Sequence, residues 1–262
     1  MLRHGYLPIG MCLVTLIGAC QGSAPVEDTT ADPDSAAMSD SSAADLVHDD
    51  EIPSRAGELA RDAGSKPQEV MDFMGISRGD VVADILAGGG YYTYLLRERV
   101  GPTGQVFAEG YGPNLAARMD RGDLAQASNI MLVDSLNELP DGALDAVLIV
   151  RGFHLIADLD VALAHLVRAL KPGGEVGVVE VRLGQEYGHD MKTHRMGEQT
   201  VIDAFQSAGF QFIANSTILR NPSDDHTEFW EGRRHLTDRM LLKFARLGEP
   251  TPAAPSTASV GP

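Results

Sequence analysis

The chain reads as an α/β domain with a mostly parallel, doubly wound sheet, helices on both faces, and a closing antiparallel pair. Three observations predict this. Short apolar runs alternate with helical stretches from about residue 81 to residue 181. A cluster of glycines follows directly on the first run. Two strand-like segments then end the patterned region with no clear crossover helix between them.

Each element has its own signal. Val81-Val82-Ala83-Asp84-Ile85-Leu86 is a short apolar run that breaks at Gly88-Gly89-Gly90, and a helical stretch follows from Tyr91 to Val100. Gln105–Glu109, Ile130–Val133 and Leu144–Val150 are the next three strands. A helix with Leu159, Leu163, Leu166 and Leu170 on one face stops at Lys171-Pro172-Gly173-Gly174, which reads as a turn, and Glu175–Val181 is the fifth strand. Val201, Ile202, Phe205 and Ala208 mark one face of a further helix capped by Gly209. Phe210–Leu219 and Met240–Leu247 form the closing pair, joined by a connection long enough to hold a short helix.

The flanks read as address and tether. Met1–His4 is a short basic start, and Leu7–Ala19 is an apolar run too short to span a bilayer comfortably. These are the proportions of an export signal. The run ends in Ile17-Gly18-Ala19-Cys20, which resembles the bacterial lipobox, in which the cysteine becomes the lipidated first residue; the alternative is an ordinary cleaved signal with an incidental Cys20. Gln21 after the cysteine resembles the pattern of outer-membrane sorting. Residues 1–19 are thus expected to be a lipoprotein-type signal peptide, 20–52 a disordered acidic tether, 53–248 the folded domain and 249–262 a disordered tail. The expected location is the bacterial cell envelope, at the outer membrane facing the periplasm, with the lipid anchor as the sole membrane contact.

Charge excludes one class of partner. The 262 residues carry a net charge of −16, and nine acidic residues lie between Arg3 and Arg55 with no Lys or Arg among them. Such a chain repels a phosphate backbone and shows no basic stripe, so nucleic acid is not an expected partner. Both cysteines, Cys12 and Cys20, precede the domain, which therefore has no disulfide, thiolate nucleophile or Cys-ligated zinc of its own.

Chemistry concentrates in Asp84-Ile85-Leu86-Ala87-Gly88-Gly89-Gly90-Tyr91-Tyr92-Thr93. Glycines between a strand and a helix let backbone approach a ligand, at the carboxyl edge where open α/β sheets bind them. A dinucleotide site wants G-x-G-x-x-G, but Thr93 stands at the third position. The acidic Asp84 instead suits an amino-acid-bearing cofactor, whose ammonium it can meet. Glu109 ends the second strand, where a carboxylate can accept two ribose hydroxyls, and Asp134 follows the third, where it can meet an adenine amino group. Singly, these residues also suit a solvated strand end and a turn.

In this order and spacing, with Lys171-Pro172-Gly173-Gly174, the motifs resemble the class I S-adenosylmethionine-dependent methyltransferase set. Ala60-Arg61-Asp62, Lys66-Pro67, Ala87–Thr93, Thr193-His194-Arg195, Leu219–Asp225 and Thr237-Asp238-Arg239 further resemble a family of bacterial methyltransferases that are often exported. The resemblance implies a Rossmann-like seven-stranded sheet, mostly parallel with a C-terminal antiparallel hairpin. It implies S-adenosyl-L-methionine as cofactor, held by Asp84, Ala87, Gly88, Gly90, Glu109 and Asp134, and a small-molecule acceptor that it does not name. Leu86 departs from the pattern, because such enzymes usually have Gly there. Its side chain either turns into the core or crowds the cofactor.

Methyl transfer needs an aligned acceptor and, for many acceptors, a base. His154, just past the fourth strand, is the candidate catalytic residue; it can equally cap the next helix or pack in a loop. Glu180 and Arg182 can contact an acceptor or form a structural ion pair. His194-Arg195 and Asp224-Asp225-His226 can line the same mouth. The latter reads as a solvated turn rather than a metal site, and no metal is expected. Two other functions compete: a non-catalytic envelope lipoprotein that keeps the fold, favoured by Leu86 and the export signal, and a nicotinamide-dependent oxidoreductase, disfavoured by Thr93 and the closing hairpin.

Overall fold

Apolar runs bounded by glycine and turn residues become the strands of one central sheet in the computed structural model, which describes residues 52–229 and 236–248. The expected signal peptide, Cys20, the tether up to residue 51 and the tail from residue 249 lie outside the described residues. Helices α1 (Arg55–Ser65) and α2 (Pro67–Met74) precede β1 (Val81–Ile85). Then come α3 (Tyr91–Val100), β2 (Gln105–Glu109), α4 (Pro113–Arg121), β3 (Ile130–Val133), β4 (Leu144–Val150) and α5 (Leu159–Ala169). β5 (Leu170–Val181) leads to a small antiparallel pair, β6 (His189–Asp190) and β7 (Arg195–Met196). Helix α6 (Glu198–Ser207), β8 (Phe210–Ser216) and β9 (Arg239–Arg246) complete the domain.

The seven-stranded sheet has the order β3-β2-β1-β4-β5-β9-β8. The first five strands are parallel, and β9 runs antiparallel to both β5 and β8, so the chain closes with the expected hairpin. The order reverses at β1, which pairs with β2 on one side and β4 on the other, and this switch point opens a crevice at the carboxyl edge. One face of the sheet is covered through Val70 and Met74 of α2, Leu95 and Leu96 of α3 and Leu115 of α4. The other is covered through Leu163 and Leu166 of α5 and Val201 and Phe205 of α6. Both faces being buried explains why the strands read as continuous apolar runs rather than alternating ones.

Two details differ from the reading of the sequence. Lys171–Gly174 is not a free turn: β5 begins at Leu170, which pairs with Leu144, and the register shifts before Ala146 meets Glu175. Pro172 lacks an N–H and Gly173 takes φ 79°, so the segment is an irregularity inside the strand. Strand β8 ends at Ser216 rather than running on to Leu219, so the long connection begins at Thr217 and Leu219 is buried within it.

Candidate functional site

At the end of β1 the backbone makes the turns that glycine permits. Gly88 and Gly90 have φ 53° and 80°, and Gly90 donates its N–H to the Ala87 carbonyl at 2.9 Å. A Cβ on Gly90 would lie 2.6 Å from Leu115 Cδ1, so α3 can start this close to α4 only without a side chain there. The loop after β1 is tied to the loop after β2: Ala87 N–H donates to the Glu109 carbonyl at 2.8 Å, and Gly112 N–H to that of Gly88 at 2.8 Å.

This loop floors a cleft of about 260 Å³. Asp84, Ala87 and Gly88 line it, together with Arg61 of α1, Asn114 of α4 and Arg151 after β4. Asp84 is only 3% exposed, and burial pushes its carboxyl up to about 7 against the lowering effect of the Thr93 hydroxyl and the Arg61 charge. Thr93 Oγ1 donates to Asp84 Oδ2 at 2.6 Å. The residue that breaks the dinucleotide pattern therefore orients the carboxylate. Tyr91 joins the wall, with the Arg61 guanidinium 3.8 Å from its ring centroid and its hydroxyl donating to Asp62 at 2.6 Å. Arg118, fully buried in α4, binds Asp123 at 2.9 Å, Glu58 of α1 at 3.1 Å and the Gly89 carbonyl at 3.3 Å, which clamps α1 over the glycine loop.

Leu86 adopts φ 55° and packs against the apolar cluster on the α5/α6 side of the sheet while still bordering the cleft. Its side chain fills the space over Gly110 and Gly152: a Cβ on either would come within 2.9 Å and 2.7 Å of it. Two glycines at the facing strand ends thus accommodate the leucine that stands for one. Glu109 accepts the Leu86 N–H at 3.3 Å, and burial raises its carboxyl while that contact opposes the rise. Asp134, past β3, accepts the Tyr111 hydroxyl at 2.8 Å.

A second cluster sits at the carboxyl ends of β4 and β5. His154 lies in a single 3₁₀ turn, its side chain 1% exposed, with Nδ1 3.0 Å from Oε1 of the fully buried Glu180. Its Nε2 is 3.0 Å from His194 Nδ1, and His194 packs against Phe229. His154 is therefore an interior member of this cluster, behind His194. Arg182 pairs with Asp238 at 2.8 Å and Glu198 at 3.3 Å, while Arg195 pairs with Asp224 at 2.9 Å and His226 with Asp238 at 3.1 Å. The Asp224-Asp225-His226 segment is thus joined to a structural ion network. Among the described residues, no group of three or more His, Cys, Asp or Glu is arranged to hold a metal ion.

The strand order and the closing hairpin are those of a Rossmann-like methyltransferase fold. Residues 65–193 match the sequence model of the ubiE/COQ5 methyltransferase family. Curated relatives include the demethylmenaquinone methyltransferase of Staphylococcus aureus, 36% identical over 117 residues, which are 43% of this chain and 48% of that enzyme. The chain thus spans about half the length of the curated relatives it matches. Among solved structures, a SAM-dependent methyltransferase from Aquifex aeolicus superposes with TM-score 0.55 at 18% identity, covering 69% of this chain and 89% of that one. Geranyl diphosphate C-methyltransferase from Streptomyces coelicolor A3(2), determined with S-adenosyl-L-homocysteine, gives 0.56 at 17% identity over 72% and 78%. These two likenesses concern the fold.

Proposed function

We propose that the protein transfers a methyl group from S-adenosylmethionine to a small-molecule acceptor. The observation that carries this reading is the charge pattern of the cleft: a buried carboxylate and two guanidinium groups line the same cavity. That pattern complements a zwitterionic amino-acid group. Asp84 would hold the ammonium, which restores its ionised form, and Arg61 and Arg151 would hold the carboxylate. Ala87 and Gly88 present backbone without bulk. Glu109 and Asp134 stand at the strand ends that suit ribose and adenine, with Glu109 exchanging its long contact to Leu86 N–H for hydroxyl donors. When bound, the cofactor supplies an electrophilic methyl on a sulfonium; the chain supplies orientation, water exclusion by α1 and a proton acceptor.

The acceptor of the curated relatives, demethylmenaquinone, is the first compound to test. Retention of radiolabelled cofactor by wild type, its loss in Asp84→Ala, and label appearing in an added acceptor would support the reading. A second reading, a scaffold that no longer binds the cofactor, is favoured by Leu86 at the loop and Glu109 engaged with it; it predicts no retention by folded wild type. We also propose an envelope location through lipid on Cys20. Cys20→Ser should move the protein from the membrane to the soluble fraction, and unchanged partition would discard the anchor.

A further inference from the structure

We propose that Tyr92 is a specificity-determining residue of the cofactor cleft, whose hydroxyl donates a hydrogen bond to the carboxylate of the cofactor's methionine moiety. The proposal rests on the methyl-transfer reading and names what separates the cofactor from nucleosides that lack this group.

Tyr91 and Tyr92 open α3 side by side, and the fold uses them differently. Their rings meet edge to face, with centroids 5.2 Å apart. The Tyr91 hydroxyl donates to Asp62 at 2.6 Å, which ties α3 to α1. The Tyr92 hydroxyl makes no hydrogen bond among the described residues, although Tyr92 is only 5% exposed. Its ring belongs to the apolar cluster shared by α2, α3 and α4, and the residue lines the cleft beside Asp84 and Arg151. A buried phenol usually finds a partner, because an unpaired hydroxyl has given up water for nothing. A phenol fixed by its ring at a cavity wall, and bonded to no protein group, is suited to a ligand atom.

The surrounding charges select that atom. Burial pushes the Tyr92 hydroxyl up to about 12, against the guanidinium groups of Arg61, Arg239 and Arg151, while Asp84 adds to the rise. The phenol therefore keeps its proton and serves as a donor rather than a base. Arg61, Arg151 and Asp84 line the same cleft. Arg239 approaches from the start of β9, where its Nη2 donates to the Gly64 carbonyl of α1 at 2.5 Å. A donor among guanidinium groups is set for an anionic oxygen, and a cation there would be repelled. Tyr92 stands at the second position of α3, so the helix N-terminus adds positive potential at the same place. In a zwitterionic amino-acid group the anionic oxygens are those of the carboxylate, because the ammonium belongs with Asp84. Tyr92 adds a directed hydrogen bond to that carboxylate without adding another charge.

Titration calorimetry of the full chain reads the contact with two ligands, S-adenosylmethionine and its decarboxylated form, which keeps the ammonium, ribose and adenine. Tyr92→Phe removes one oxygen and keeps the ring. It should weaken S-adenosylmethionine about tenfold and change the decarboxylated ligand by less than about twofold. The Tm of the ligand-free variant should not fall, since the oxygen removed is bonded to nothing in the protein. An equal change for both ligands overturns the inference, as does no change for S-adenosylmethionine or a lowered Tm without ligand. Absent binding of either ligand by folded wild type would instead sink the methyl-transfer reading, and this inference with it.

Discussion

Replacing Asp84 by Asn should stabilise the ligand-free protein at alkaline pH while removing cofactor binding. Asp84 is buried, and its carboxyl is raised from 3.8 to about 7 by desolvation. In the unfolded chain it ionises near the lower value. Between the two, the folded state holds the extra proton, so stability falls as pH rises through that window. Ionising the group in the fold therefore costs ~4 kcal/mol once pH exceeds 7. Asn keeps the shape and can accept the Thr93 hydroxyl, yet it never ionises. Surface carboxylates titrate alike in both proteins, so they cancel in the difference. Asp84→Asn should gain about 2.5 kcal/mol on wild type between pH 5 and pH 8. Urea unfolding of both proteins at these two pH values measures it directly. A stability difference equal at pH 5 and pH 8 would refute the claim that an ionised carboxylate is held there at a cost, which the cofactor's ammonium would offset.

Three further outcomes follow from the same loop. Thr93→Val removes the 2.6 Å donor to Asp84 and raises that carboxyl further; cofactor affinity should fall about tenfold near pH 7 and recover toward pH 9, which titrations at the two pH values would show. Leu86→Gly relieves a positive φ worth about 1–2 kcal/mol but loses packing over Gly110 and Gly152. Because the leucine already turns into the core, cofactor affinity should change less than about threefold; a gain of thirtyfold would mean that it blocks the site. Gly90→Ala combines positive φ with a Cβ 2.6 Å from Leu115 Cδ1, so thermal or urea unfolding should show a loss of about 2–4 kcal/mol.

The parallel strands were legible because all but the edge strand β3 are largely buried on both faces and bounded by glycine or turn residues. Lys171–Gly174 misled because proline and glycine read as punctuation, whereas their place in the pairing register depends on β4, which sequence spacing does not reveal. Helix α1 has no buried residue, so it leaves no apolar stripe to find. The same reason hid part of the site. Arg61 looks like a solvated helix charge until α1 is laid across the glycine loop, and Arg118 looks the same until Glu58 and Asp123 close around it. Asp84 was legible from its place before the glycines, and Thr93 was noticed only as a missing glycine. His154 was found by its position after β4, but its burial behind His194 depends on β7 meeting β5, a contact between segments that the sequence pattern does not pair.

Calorimetric titration of the purified protein with S-adenosylmethionine, and separately with its demethylated product, tests the central claim most directly. The account predicts micromolar binding of both that is lost in Asp84→Ala, with proton release on binding near pH 6.5 as the buried carboxyl ionises against the incoming ammonium. No heat and no thermal shift with either ligand, on a protein shown to be folded, would contradict it.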